Sequence, residues 1–156
     1  MLNNARKVLN DCRHALNMLE LESKPDTFRV LWVAGIALVR TVGHVLQKVD
    51  SEKNYAVKTA VALIYAQWQS EKLNNAIFWD FIELERNQIL KQYEFGFFEG
   101  PVSILVKNET YRLDDLLFCP IKYGTFAGED CRDILKQAID WWEQQLDLIE
   151  SNILKA

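Results

Sequence analysis

A chain of 156 residues with 49% hydrophobic and 26% charged side chains has the composition of one globular domain, 1–156, and excludes an extended disordered tract. Its net charge of −4 and pI near 5.2 exclude the diffuse basicity by which proteins coat phosphate backbones or anionic membranes, while leaving room for a local basic groove. Six glycines and three prolines are few for this length, which predicts long helices and rare turns.

Cys12, Cys119 and Cys131 form neither an even disulfide set nor a C-x-x-C pair, and only His14 and His44 could join them at a metal. They read as reduced thiols, packed as small apolar residues in a cytosolic protein without a zinc site. The N-terminus lacks the apolar core of a signal peptide. The longest charge-free apolar run, Val30–Val39, is ten residues, against the roughly twenty that a bilayer span needs. The expectation is a cytoplasmic chain with no membrane segment.

In chain order, Ala5, Val8, Leu9, Cys12, Leu16 and Leu19 recur at three and four, predicting an amphipathic helix from Asn3 to about Glu22. The turn Ser23-Lys24-Pro25-Asp26 ends it, with Asp26 as the N-cap of the next helix. That helix, Thr27 to about Val49, is apolar nearly all round and therefore belongs at the centre of the bundle. Gly35 and Gly43 inside it each cost a little under ~1 kcal/mol relative to alanine, a loss that close helix approach offsets. Arg29, Arg40 and His44 are its polar exceptions. Arg29 and Arg40 share a face, with His44 one turn beyond.

A third helix follows from about Lys53 to Leu73, and a fourth, capped at Asn74-Asn75, ends near Glu94–Gly96; a third helix running through to Tyr93 with only a bend fits equally. From Gly96 to Gly128 most of the helix breakers collect, and Val102–Val106 and Thr110–Leu113 flank a turn at Lys107-Asn108-Glu109, a small β-hairpin or ordered loop. The last helix runs from Glu129 to about Leu154, with Glu129, Asp130 and Asp133 suited to its N-terminus. The fold class is mainly all-α: a four- or five-helix bundle with a β-containing excursion before the C-terminal helix.

The polar constellation of interest is Asp80, Glu83, Arg86, Asn87, Lys91 and Tyr93, set among apolar residues of the fourth helix. Helical spacing places Arg86 and Tyr93 on one face, with Asn87 and Lys91 as a neighbouring pair. On these residues the chain resembles the HEPN family of small helical bundles, many of them RNases or antitoxin-paired toxins. The family signature is an Arg, a polar residue, three to five further residues and a His, in one subfamily followed by any residue and Tyr. Arg86, Asn87 and Tyr93 fit that subfamily, and Lys91 occupies the histidine position.

The resemblance implies a homodimer in whose cleft the motif residues of two protomers meet and act on RNA without metal, through the 2′-hydroxyl. That chemistry asks for a group titrating near neutrality to move protons and for an arginine to stabilise phosphorane charge. Lysine, with an ordinary pKa near ~10.4, is a poor general base, so the substitution implies phosphate binding with little or no catalysis. The implied role is a non-catalytic interaction or RNA-associated module, alone or with a protein partner. Two alternatives stand beside it: a metal-independent RNase using Arg86, Asn87 and Lys91, and a purely structural protein in which these residues pair with Asp80, Glu83 or Glu94. Arg40 and His44 have the same two readings, a core ion pair with Asp80 or Glu83, or a binding and regulatory contribution from another helix. No Glu-x-x-His pair, P-loop, G-x-G-x-x-G or H-E-x-x-H occurs, so no metal or cofactor is expected. The adjacent pairs Phe97-Phe98 and Trp141-Trp142 cannot each point one way, which leaves either the excursion or a partner chain to cover part of the aromatic surface.

Overall fold

The computed structural model describes residues 2–155. Five helices form a bundle: α1 (Asn3–Leu21), α2 (Pro25–Val45), α3 (Tyr55–Ser70), α4 (Leu84–Gln92) and α5 (Cys131–Lys155), with the antiparallel hairpin β1 (Ser103–Val106) and β2 (Glu109–Arg112) before α5. Two π-helical stretches interrupt the α-helical winding, Leu46–Asp50 at the end of α2 and Ile77–Glu83 leading into α4. Helices α3 and α4 are therefore not one bent rod. The chain leaves α3 at Ser70, makes a short 3-10 turn at Leu73–Asn75, and re-enters helix through the π stretch.

Several starts follow local chemistry, and that of α2 differs from the sequence expectation. Pro25 is itself the first residue of α2, a position where its missing N–H costs nothing, and Lys24 precedes it in extended geometry. Asp26 is then not the N-cap; it pairs instead with Arg29 at 2.7 Å. Asn54 caps α3, its Oδ1 accepting from the Ala56 N–H at 2.9 Å. Helix α1 has no local cap. Asp50, buried at the far end of the α2 run, reaches back to accept from the Ala5 N–H at 2.9 Å and from Asn4 Nδ2 at 2.6 Å. Asp130, just before α5, accepts from the Arg132 N–H at 2.9 Å.

Helix α5 buries ten residues on packing against α1, α2, α3 and the π stretch, and so takes much of the central role expected of α2. Helix α2 buries only one stripe, Phe28, Trp32, Gly35, Ile36, Val39 and Val42. Its opposite side keeps Val30 63% exposed, with Ala34 and Ala37 also open. The correction has a simple cause: α1, α4 and α5 all approach α2 from one side, and uniform apolarity along a helix carries no information about which side neighbours occupy. By length and composition the helical run Pro25–Lys53 would also suit a bilayer, but core helices satisfy the same measure, and one face of this run is core.

Both interior glycines of α2 do mark close approach. A Cβ on Gly35 would lie 3.2 Å from Leu135 Cδ2, and one on Gly43 would lie 2.9 Å from Trp142 Cη2. The hairpin turns through Lys107 and Asn108, with φ of 49° and 66°, the left-handed pair that a two-residue loop between twisted strands requires. All eight strand residues are exposed, so the hairpin does not cover the aromatics. They are covered by the bundle itself and by the segments around the hairpin. Trp141 and Trp142 are both buried, in contact with Trp68 and Phe78. Phe97 packs edge-on against Trp32 and Phe28, and its backbone bridges to Ile121. Phe98 remains 44% exposed.

Candidate functional site

Helices α2 and α4 diverge to leave a cleft of about 260 Å³, lined on the α2 side by Val33, Ile36, Ala37, Arg40, Thr41 and His44 and on the α4 side by Arg86, Ile89 and Leu90. Three sequence candidates meet here: Arg40, His44 and Arg86. Arg40 and His44 share a face because they are four residues apart, and Arg86, Ile89 and Leu90 are one turn of α4. Asn87 joins at second hand, its Oδ1 accepting from Arg86 Nη1 at 2.8 Å.

The charges of the cleft are not balanced alike. Arg40 Nε lies 2.6 Å from Glu83 Oε1, an ion pair without the alignment of a directed hydrogen bond. Of the two acids open to Arg40 in the sequence, Glu83 is taken, while Asp80 accepts from the Thr125 hydroxyl at 2.7 Å. Arg86 has no carboxylate in ion-pair range among the described residues. Arg86 thus leaves an unbalanced positive charge in the cleft of an acidic chain, with the exposed His44 on the opposite wall.

Lys91 and Tyr93 lie elsewhere. Lys91 is exposed on α4 and does not line the cleft, since five residues on a helix turn it well away from Arg86. Tyr93 caps α4 in left-handed geometry, φ 52°, so the seven-residue helical spacing from Arg86 is broken at its last step. Its ring stands 60% exposed and packs edge-on to Phe95 at 5.1 Å.

The residue that positions the cleft was not among the candidates. Glu85, only 4% exposed, accepts at Oε1 from Trp32 Nε1 of α2 and from the Gly96 N–H, each at 2.9 Å. Burial pushes its carboxyl pKa up, and the two hydrogen bonds and Lys122 only partly oppose that. Gly96 is required beside it, because a Cβ there would fall 2.3 Å from Glu85 Oε2. A signal for Glu85 did exist: Phe78, Phe81, Ile82 and Ile89 are the buried stripe of this segment, and Glu85 occupies the helical step between Ile82 and Ile89. Glu85 ties α4 to α2, and the next residue, Arg86, is thereby turned into the cleft.

A second buried polar knot fastens the start of α5. Arg132, 9% exposed, donates to both oxygens of Asp130 and to the Leu117 carbonyl, and stands over the Phe28 ring. Burial raises the Asp130 carboxyl pKa, but hydrogen bonds from Arg132 and from the Cys119 N–H outweigh that and hold it below its ordinary value. This knot is structural in geometry, with both charges satisfied by each other. Among the described residues no group of three or more His, Cys, Asp or Glu is arranged to hold a metal ion. Comparison with protein-family models, with curated proteins and with solved structures finds no match to this chain.

Proposed function

We propose that the chain is a HEPN-like, RNA-associated module that forms a homodimer and binds an RNA phosphate in the α2–α4 cleft without depending on metal. The observation that carries this reading is Arg86: an arginine half-buried beside an apolar helix pair, held by Asn87, with no carboxylate partner among the described residues. A scaffold arginine in such a place would be expected to carry a carboxylate, as Arg40 does. A planar guanidinium left open suits a phosphate oxygen pair. The exposed apolar residues beside the cleft, Val30, Ala34 and Ala37 on α2 and Leu90 on α4, give a second protomer a surface to cover.

His44 favours a second reading, an RNase in which this histidine supplies the proton transfer that Lys91 cannot. It lines the same cleft as Arg86, on the opposite helix. Fluorescence anisotropy with labelled single-stranded RNA separates the readings when run beside a cleavage assay. Under the binding reading, Arg86→Ala weakens RNA about tenfold, the effect of one lost charged phosphate contact near 1.4 kcal/mol, and no strand is cut. Under the RNase reading, cleavage products with cyclic phosphate ends appear and vanish in His44→Ala. RNA affinity unchanged in Arg86→Ala, with the fold intact by circular dichroism, refutes both.

A further inference from the structure

A larger cleft opens on the other side of Arg40, and we propose that it binds a small planar aromatic anion. Its volume is about 620 Å³, within the range of small-molecule sites, and its walls come from the α2 end, α3, the π stretch before α4 and Trp142 of α5. Tyr65 and Trp79 give the lining its open aromatic surface, backed by the buried rings of Trp68, Phe78 and Trp142.

Three observations point to a ligand. The first is a missing hydrogen bond. Of the five tryptophans, four donate from Nε1: Trp32 to Glu85, Trp68 to Gln145, Trp79 to the Trp68 carbonyl and Trp141 to Asn75. Trp142, wholly buried, is the fifth, and its Nε1 has no partner. An unsatisfied buried donor is unfavourable, and this one belongs to a ring that forms part of the cleft wall. The second is backbone geometry. Both π-helical stretches of the chain contribute to this one cleft, Leu46, Gln47 and Lys48 from the first and Phe78, Trp79 and Glu83 from the second. Such insertions are rare and concentrate where side chains must be aimed at a ligand.

The third is charge. Lys48 and Lys58 lie on the lining without a carboxylate partner among the described residues. Of the two acids there, Glu83 is engaged by Arg40, which leaves Glu52 against two lysines. Aromatic walls take a ring by stacking, and the lysines take a carboxylate, sulfonate or phosphate on it.

The test uses 1-anilinonaphthalene-8-sulfonate as the anionic probe and N-phenyl-1-naphthylamine as its uncharged counterpart. Both are titrated into the full chain and read by tryptophan-to-dye energy transfer. Lys48→Glu/Lys58→Glu should weaken the sulfonate about tenfold through charge reversal at a partly screened site and leave the amine within about twofold. Ala66→Trp, an exposed α3 position on the lining, should fill the cleft and abolish both signals with helicity unchanged. Arg86→Ala should leave both dyes unaffected, which keeps this site separate from the RNA reading. Sulfonate binding that survives Ala66→Trp places the dye elsewhere and overturns the proposal. Equal weakening of both dyes by the lysine reversal removes the anion from it and overturns it too, as does failure of the sulfonate to bind.

Discussion

Removing the Glu85 side chain is the most informative single change to the α2–α4 pair. In Glu85→Ala, Trp32 Nε1 and the Gly96 N–H, both buried, lose their shared acceptor at 2.9 Å. Each orphaned buried donor costs about 1–3 kcal/mol. Relief of a buried carboxylate at neutral pH offsets part of this, so the net loss should be about 2–4 kcal/mol. Glu85→Gln keeps an oxygen for both donors and removes the charge, and should stay within about 1 kcal/mol of the parent. Urea unfolding followed by tryptophan fluorescence measures both variants. The pH dependence adds a second check. Because burial raises the folded-state pKa of Glu85 above its ordinary 4.5, its contribution is full below that pH and is lost as pH rises through the raised value. Glu85→Gln should therefore gain on the parent as pH rises above the ordinary 4.5 and through the raised folded-state value. A Glu85→Ala loss below about 1 kcal/mol, or a Gln variant as unstable as the Ala variant, refutes the hydrogen-bond account; a pH-independent difference refutes the buried-charge account. On the proposed RNA reading, loosening α4 here should also weaken that binding, since Arg86 is aimed by its neighbour.

Further expectations are local. Gly43→Ala places a Cβ 2.9 Å from Trp142 Cη2, and that ring is held by Trp68 and Trp141, so Tm should fall with a cost of about 1–3 kcal/mol; a rise in Tm would show that helix propensity outweighs the contact. Asp50→Ala removes the side-chain acceptor of the Ala5 N–H in the first turn of α1 and should cost about 1–2 kcal/mol, with faster hydrogen exchange confined to the first turn of α1; uniform exchange speed-up would contradict a capping role. Burial pushes the Cys12 thiol pKa up to about 12, so iodoacetamide at pH 8 should label it only after denaturation; labelling of Cys12 in the native chain at a free-thiol rate, read by mass spectrometry, contradicts that burial.

What the sequence determined by itself was whatever depends on near neighbours. The apolar spacing of α1, the breaker-rich excursion and the turn at Lys107-Asn108-Glu109 all rest on interactions within a few residues, and the structure has them close to where the pattern puts them, the turn shortened to Lys107 and Asn108 by the pairing of Glu109. Pro25, expected in a turn, is a helix start, because proline suits both and only the preceding Lys24 geometry decides.

Tertiary structure decided the site. Arg40 had two acids on offer and took Glu83, while Asp80 turned to Thr125. Trp32 meets Glu85 across 53 residues, and no pattern on one helix reveals its partner on another. The motif Arg86, Asn87, Lys91 and Tyr93 is continuous in sequence, yet the left-handed Tyr93 and the turn of α4 split it, sending Arg86 into a cleft with Arg40 and His44 and leaving Lys91 outside. Helical periodicity states which residues share a face. Which face a neighbouring helix covers, and which charge is left without a partner, depends on packing between elements distant in the chain.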